Sequence, residues 1–136
     1  MDNYILQISK IDLEYDNDED NNHYYSINIL NNLNNKLATF ELDIIEICDY
    51  TTNFKNFMNL TIEDKYNILN EFIDKLVLTN TNVNTSLNFI MENGERSICV
   101  NNNIMTFRIS SMSMSCEFNI IITDQLINEF QKIKNK

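Results

Sequence analysis

The sequence predicts an α+β fold in which antiparallel sheet of about seven strands, in the order βββαββββα, carries two helices packed on it. Three observations support this. Apolar and polar residues alternate through much of residues 3–48 and 86–122, the two-residue period of strands with one buried face. Apolar residues at helical spacing follow Thr61 and Thr123, both good N-caps. Asn-rich segments separate the alternating runs, and Asn tolerates the left-handed backbone that tight turns require. A chain of 136 residues suits one core, so residues 1–136 are read as a single domain. Within it lie an acidic three-stranded meander (1–50), a helical segment (51–79), a four-stranded meander (86–122) and a C-terminal helix (123–136).

In the first strand Tyr4, Leu6 and Ile8 give way to Ile11, Leu13 and Tyr15 on the opposite parity, which predicts a bulge near Ser9 or Lys10. Residues 16–23 form an acidic loop. Tyr25, Ile27 and Ile29 share one face of strand two, and Asn31 to Asn35 turn the chain. Strand three runs from about Leu37 to Cys48. Its alternation through Phe40, Leu42 and Ile44 yields to Ile45 and Ile47, so its far end is expected to be covered on both faces. Phe54, Phe57 and Met58 suggest a short helical turn. Thr61 with Asp64 resembles a capping box, and Ile62, Tyr66, Leu69, Phe72, Ile73 and Leu76 form the stripe of a helix ending around Leu78. Thr79 to Thr85 is a polar loop.

The second meander is read from its turns. A two-residue turn at Asn93-Gly94 sets Phe89 against Ile98 and Leu87 against Val100. A second at Asn102-Asn103 sets Phe107 beside Ile98 and Met105 beside Val100. A third at Ser110-Ser111 sets Met114 beside Phe107 and Cys116 beside Met105. The last strand continues through Phe118, Ile120 and Ile122, and its second half is expected to overhang its neighbour and pair with the amino-terminal sheet. Thr123 then caps a helix with Leu126, Ile127, Phe130 and Ile133 inward and Lys132, Lys134 and Lys136 near its negative end.

Composition excludes several function classes. Hydrophobic residues make up 43% of the chain, too many for wholesale disorder, and no apolar run approaches the roughly 18 residues of a membrane span. With Gly94 as the single glycine, no phosphate loop, dinucleotide fingerprint or nucleophile elbow is available, because each needs several glycines. The 25 Asn and 20 Ile suggest codons from an AT-rich genome, such as that of a giant DNA virus, an AT-rich bacterium or a protist. Three cysteines without CxxC spacing, and no basic segment leading into an apolar stretch at the start, predict a cytoplasmic protein without a disulfide framework.

The net charge of −10 is unevenly spread: residues 1–50 hold eleven acids against Lys10 and Lys36, whereas residues 51–136 are near neutral. This disfavours direct contact with nucleic acid or an anionic membrane and favours a basic protein partner. The residues expected to meet it are Asp16, Asp18, Glu19, Asp20, Glu41 and Asp43. Other candidates fall to simpler readings. The run Asp16 to Asn22 resembles the start of a calcium loop, but Asn21 replaces the glycine and Ile27 the closing glutamate. Met112, Met114 and Cys116 have the spacing of a soft-metal site, yet the same spacing serves a core-facing strand. His23, the only imidazole, has no thiol or oxyanion hole placed beside it by the sequence. Cys99 falls on the outer face of its sheet beside Asn88, Thr106 and Ser115, with Ile90, Ser97, Arg108 and Ser113, a mixed surface that suits an interface but for which plain solvent exposure is the simpler reading.

No catalytic, cofactor-binding or metal-binding residue is therefore assigned, and no motif is specific enough to name a family. The expected function is that of a non-catalytic protein-interaction module, an acidic adaptor or inhibitor-type subunit. The alternative is a structural subunit of a larger assembly, a viral particle or a homo-oligomer, joined through sheet edges.

Overall fold

In the computed structural model, residues 4–11, 24–48, 60–78, 84–91, 94–111 and 113–134 are described. The fold is α+β, with eight strands among the described residues divided between two antiparallel sheets. The first sheet contains β1 (Ile5–Lys10), β2 (Tyr24–Leu30) and β3 (Lys36–Asp43), in that order. The second contains β4 (Ile47–Cys48), β5 (Asn84–Met91), β6 (Gly94–Asn101), β7 (Ile104–Ser111) and β8 (Ser115–Ile121). Helix α1 (Ile62–Val77) lies between β4 and β5 in the chain, and α2 (Asp124–Lys134) follows β8.

The eighth strand arises because strand three is shorter than its alternation implies. Asp43 leaves the sheet in extended conformation and its carboxylate accepts the N–H of Ile45 at 3.1 Å, capping a 3-10 turn at Ile44–Glu46. The turn carries the chain into the second sheet, where Ile47 and Cys48 pair with Phe89 and Asn88. Ile45 and Ile47 thus belong to a crossing between sheets rather than to one doubly covered strand. The bulge also sits elsewhere. Ile5 to Lys10 pair continuously with β2, and the irregularity falls at Ile29 and Leu30 against β3.

The core forms where the two sheets pack face to face. Ile27, Ile29, Phe40 and Leu42 of the first meet Leu87, Phe89, Ile98, Val100, Met105 and Phe107 of the second. Phe40 is the link: its ring lies 5.9 Å from that of Phe89 and 5.3 Å from that of Phe107, distances at which aromatic edges and faces attract. Helix α1 covers β4, β5 and the 3-10 turn with Leu69, Phe72, Ile73 and Leu76, and α2 packs on β1 and α1, with the Phe72 and Phe130 rings 6.0 Å apart. Both caps form as the sequence implies. Thr61 and Asp64 complete a reciprocal capping box, and the Thr123 hydroxyl accepts the N–H of Leu126. Neither helix is long and apolar enough to cross a membrane.

Among the turns of the second meander, only the middle one has the expected register. Ile98 pairs with Phe107 and Val100 with Met105, and Asn102 takes the left-handed backbone with φ 58°. The first hairpin turns one residue earlier: Met91 pairs with Gly94, Leu87 with Ile98, and Phe89 faces Arg96. The third turns later, with Ser110 paired to Ser115, so that Phe118 and Ile120, rather than Met114 and Cys116, stand beside Phe107 and Met105. Met114 is therefore 70% exposed, and Cys116 is exposed as well. β8 pairs along β7 from Ser115 to Ile121 and stays in the second sheet, without the overhang onto the first.

Gly94 shows why the first turn moved. Its φ is not positive, so it does not serve as a turn glycine; it lies where a Cβ would come 2.2 Å from the Ser110 carbonyl oxygen of β7. Gly94→Ala is expected to destabilise the protein by about 1–3 kcal/mol through this backbone clash. Chemical denaturation of the variant beside the parent checks it.

Candidate protein-interaction site

Strand order places the acidic residues of the first sheet at one end of it. The Ile11 N–H donates to the Tyr24 carbonyl at 2.9 Å, and Tyr24 stands opposite Asp43, so Ile11, Tyr24 and Asp43 line up across the sheet. Glu41, Asp43 and Glu46 follow one another around this end through β3 and the 3-10 turn. Asp16, Asp18, Glu19 and Asp20 lie outside the described residues, as does His23. The described residues that flank this segment, Ile11 and Tyr24, both stand at the same acidic end.

The described carboxylates are held by specific partners. Arg96 shares its strand face with the buried Ile98 and Val100, so its side chain points inward and is 18% exposed. A charge in that position must find a counter-ion. It reaches β3, where one guanidinium nitrogen lies 3.4 Å from the Glu41 carboxylate and another 3.4 Å from the Glu41 backbone oxygen. Its Nε is buried without a hydrogen-bond partner. The Tyr24 hydroxyl also donates to Glu41; burial, followed by that bond and the charge of Glu41, pushes its pKa well up from the usual phenol value. Asp43 caps the 3-10 turn, and the Lys65 ammonium donates to the Ile45 carbonyl at the same turn.

Glu46 bears the cost of this crowding. Burial above all, then the negative charges of Asp43 and Glu41, raise its pKa above the ordinary carboxylate value, with Arg96 opposing. The arrangement is thus an acidic corner with a partly buried arginine at its centre. The sequence reading missed Arg96, although its parity with Ile98 and Val100 was the available signal.

The remaining candidates separate. Cys48 is buried; Cys99 is half-buried on the outer sheet face between Ser86 and Thr106, with its sulfur 3.8 Å from the Ser97 hydroxyl. Met112 lies outside the described residues, and Met114 and Cys116 stand at an exposed hairpin rather than in the core row. Among the described residues no three His, Cys, Asp or Glu side chains are grouped to hold a metal ion. Two concavities are lined by described residues alone. An apolar notch of about 130 Å³ opens between β3 and the β7–β8 hairpin, and a polar groove of about 760 Å³ lies over the outer face of the first sheet, walled by Gln125, Glu129 and Lys132 of α2.

No known protein family, curated protein or solved structure matches the chain. The functional reading therefore rests on the geometry alone.

The raised Glu46 pKa has a measurable consequence. The folded state holds this proton more tightly than the unfolded chain, so stability falls as pH rises through the ordinary carboxylate range and on to the elevated folded value. Glu46→Gln is expected to stabilise the protein at neutral pH, and the gain is expected to vanish in acid below the carboxylate range. Urea denaturation of both proteins in the two conditions measures this difference.

Proposed function

We propose that this protein is a non-catalytic interaction module whose acidic end binds a basic surface on a protein partner. The observation that carries the reading is the alignment of Ile11, Tyr24 and Asp43. It joins the attachment points of the segment bearing Asp16, Asp18, Glu19 and Asp20 to the end of the sheet that bears Glu41, Asp43 and Glu46. Twelve residues, 12–23, contribute six acids and no lysine or arginine there. Among the described residues Lys10, Lys65 and Arg96 are cations near this end, and two of them are already engaged with the 3-10 turn or β3.

In this reading the two groups of acids have different tasks. Glu41 and Asp43 are fixed by Arg96, Tyr24 and the turn, and they present a preorganised negative surface beside the sheet edge. The carboxylates of the 12–23 segment supply the larger share of the charge, which steers a basic partner into place and suppresses acidic competitors. A reducing compartment such as the cytoplasm suits the three free thiols.

The test is affinity capture from the native host, followed by binding measurements on the captured protein. The partner is expected to be basic, and its association rate to fall by roughly tenfold or more as salt rises from low to physiological strength. Replacing Asp16, Asp18, Glu19 and Asp20 together by Asn or Gln should weaken that salt dependence markedly. An association rate that does not respond to salt or to these four replacements removes the electrostatic premise.

A further inference from the structure

Among the described residues the two sheets have four edge strands, and side chains or a helix cover part of three of them. Along β1, Gln125 accepts the Leu6 N–H at 3.0 Å and donates to the Leu6 carbonyl at 2.5 Å, while Glu129 accepts the Ile8 N–H at 3.0 Å. At β3, Arg96 occupies the Glu41 carbonyl. β4 is two residues long and lies beside α1. β8 has seven residues and no such cover among the described residues.

The direction of its backbone groups follows from the hydrogen bonds at either end. Ser111 N–H donates to the Met114 carbonyl and Ile122 N–H to the Asn103 carbonyl, each at 2.8 Å. The even-numbered residues Met114 to Ile122 therefore face β7, and Ser115, Glu117, Asn119 and Ile121 direct their N–H and C=O groups outward. The usual protections of an exposed edge are missing. There is no proline, lysine or register shift in β8, and its one charge, Glu117, is paired with Arg108 at 2.7 Å.

We propose that two copies of this chain pair through β8 as an antiparallel, two-fold symmetric dimer centred on Phe118. This register uses the whole strand. Glu117 faces Asn119 of the second copy and Ser115 faces Ile121, so all four outward-directed residues exchange hydrogen bonds. Phe118 meets its own counterpart at the dyad on the inner face, where each is already stacked edge to face on Tyr4 at 5.2 Å. Centring the pair on Glu117 instead would set two carboxylates against each other. At this register the strand meets its own copy without setting like charges directly opposite one another. Pairing consumes the open edge of both copies, so the assembly closes at two and does not grow into a fibre. The interface also lies at the Tyr4 end of β1, away from Ile11 and the acidic end, so the two surfaces can be occupied together.

Light scattering and sedimentation on the full chain test this proposal. A dimer mass is expected, with dissociation on dilution. Each copy carries a formal charge of −10, so salt should strengthen the dimer by screening repulsion, whereas it weakens binding of a basic partner; the two readings therefore fail separately. Asn119→Lys places a cation opposite Glu117 of the second copy and should tighten the dimer about tenfold, while Asn119→Glu should loosen it by a similar factor. Asn119→Pro removes an outward N–H that β7 does not use and should give a monomer with unchanged circular dichroism. A monomer mass at every concentration overturns the proposal and leaves the edge for an extended segment of another protein. A dimer indifferent to all three substitutions overturns it too.

Discussion

A strand at the edge of a sheet carries N–H and C=O groups that must find a partner or face water, and dividing eight strands between two sheets multiplies that demand. The sequence meets it with side chains from distant elements. Gln125 and Glu129 stand four residues apart on α2, a rise of about 6 Å, close to the roughly 6.6 Å that separates alternate residues such as Leu6 and Ile8 on a strand. One helix face can therefore stand in for a missing strand. Arg96 does the equivalent at β3, where it also ties the second sheet to the first. The polar content of the interior, a glutamate only 7% exposed and a mostly buried arginine, follows from this demand.

The same constraint explains what could be read from the sequence. Alternation fixes which face of a strand is buried, and the inward rows Leu87 with Phe89, Ile98 with Val100, and Met105 with Phe107 are all in the core. It does not fix register, because sliding a strand by two residues keeps every side chain on its face. Both displaced hairpins moved by an even number, the first by two residues and the third by four. The Asn102 turn was legible since the left-handed backbone there selects Asn; Gly94 misled because it is needed for space beside Ser110 rather than for its backbone angle. The break in strand three depends on a carboxylate turning back on its own chain at Asp43, and apolar periodicity does not report that.

The acidic corner was half legible. Charge counting located the excess in the first fifty residues, and topology gathers Glu41, Asp43 and Glu46 around one end of the first sheet. The cation they surround had to come from the second sheet, more than fifty residues away in the chain, and nothing local to the acids announced it. Glu129 is the parallel case on α2. Its position beside Leu126, Phe130 and Ile133 marks it as inward, yet only the three-dimensional neighbourhood of β1 shows why a carboxylate belongs there.

The clip between α2 and β1 joins residues 119 and 121 positions apart. On the ribosome the first meander emerges long before the helix that seals it, so the nascent chain carries β1 without that seal while the residues between them are made. Contacts of such long sequence separation form late and slowly. Until α2 is free to fold, β1 lacks the seal that Gln125 and Glu129 provide, and a chain truncated upstream of Gln125 lacks it altogether.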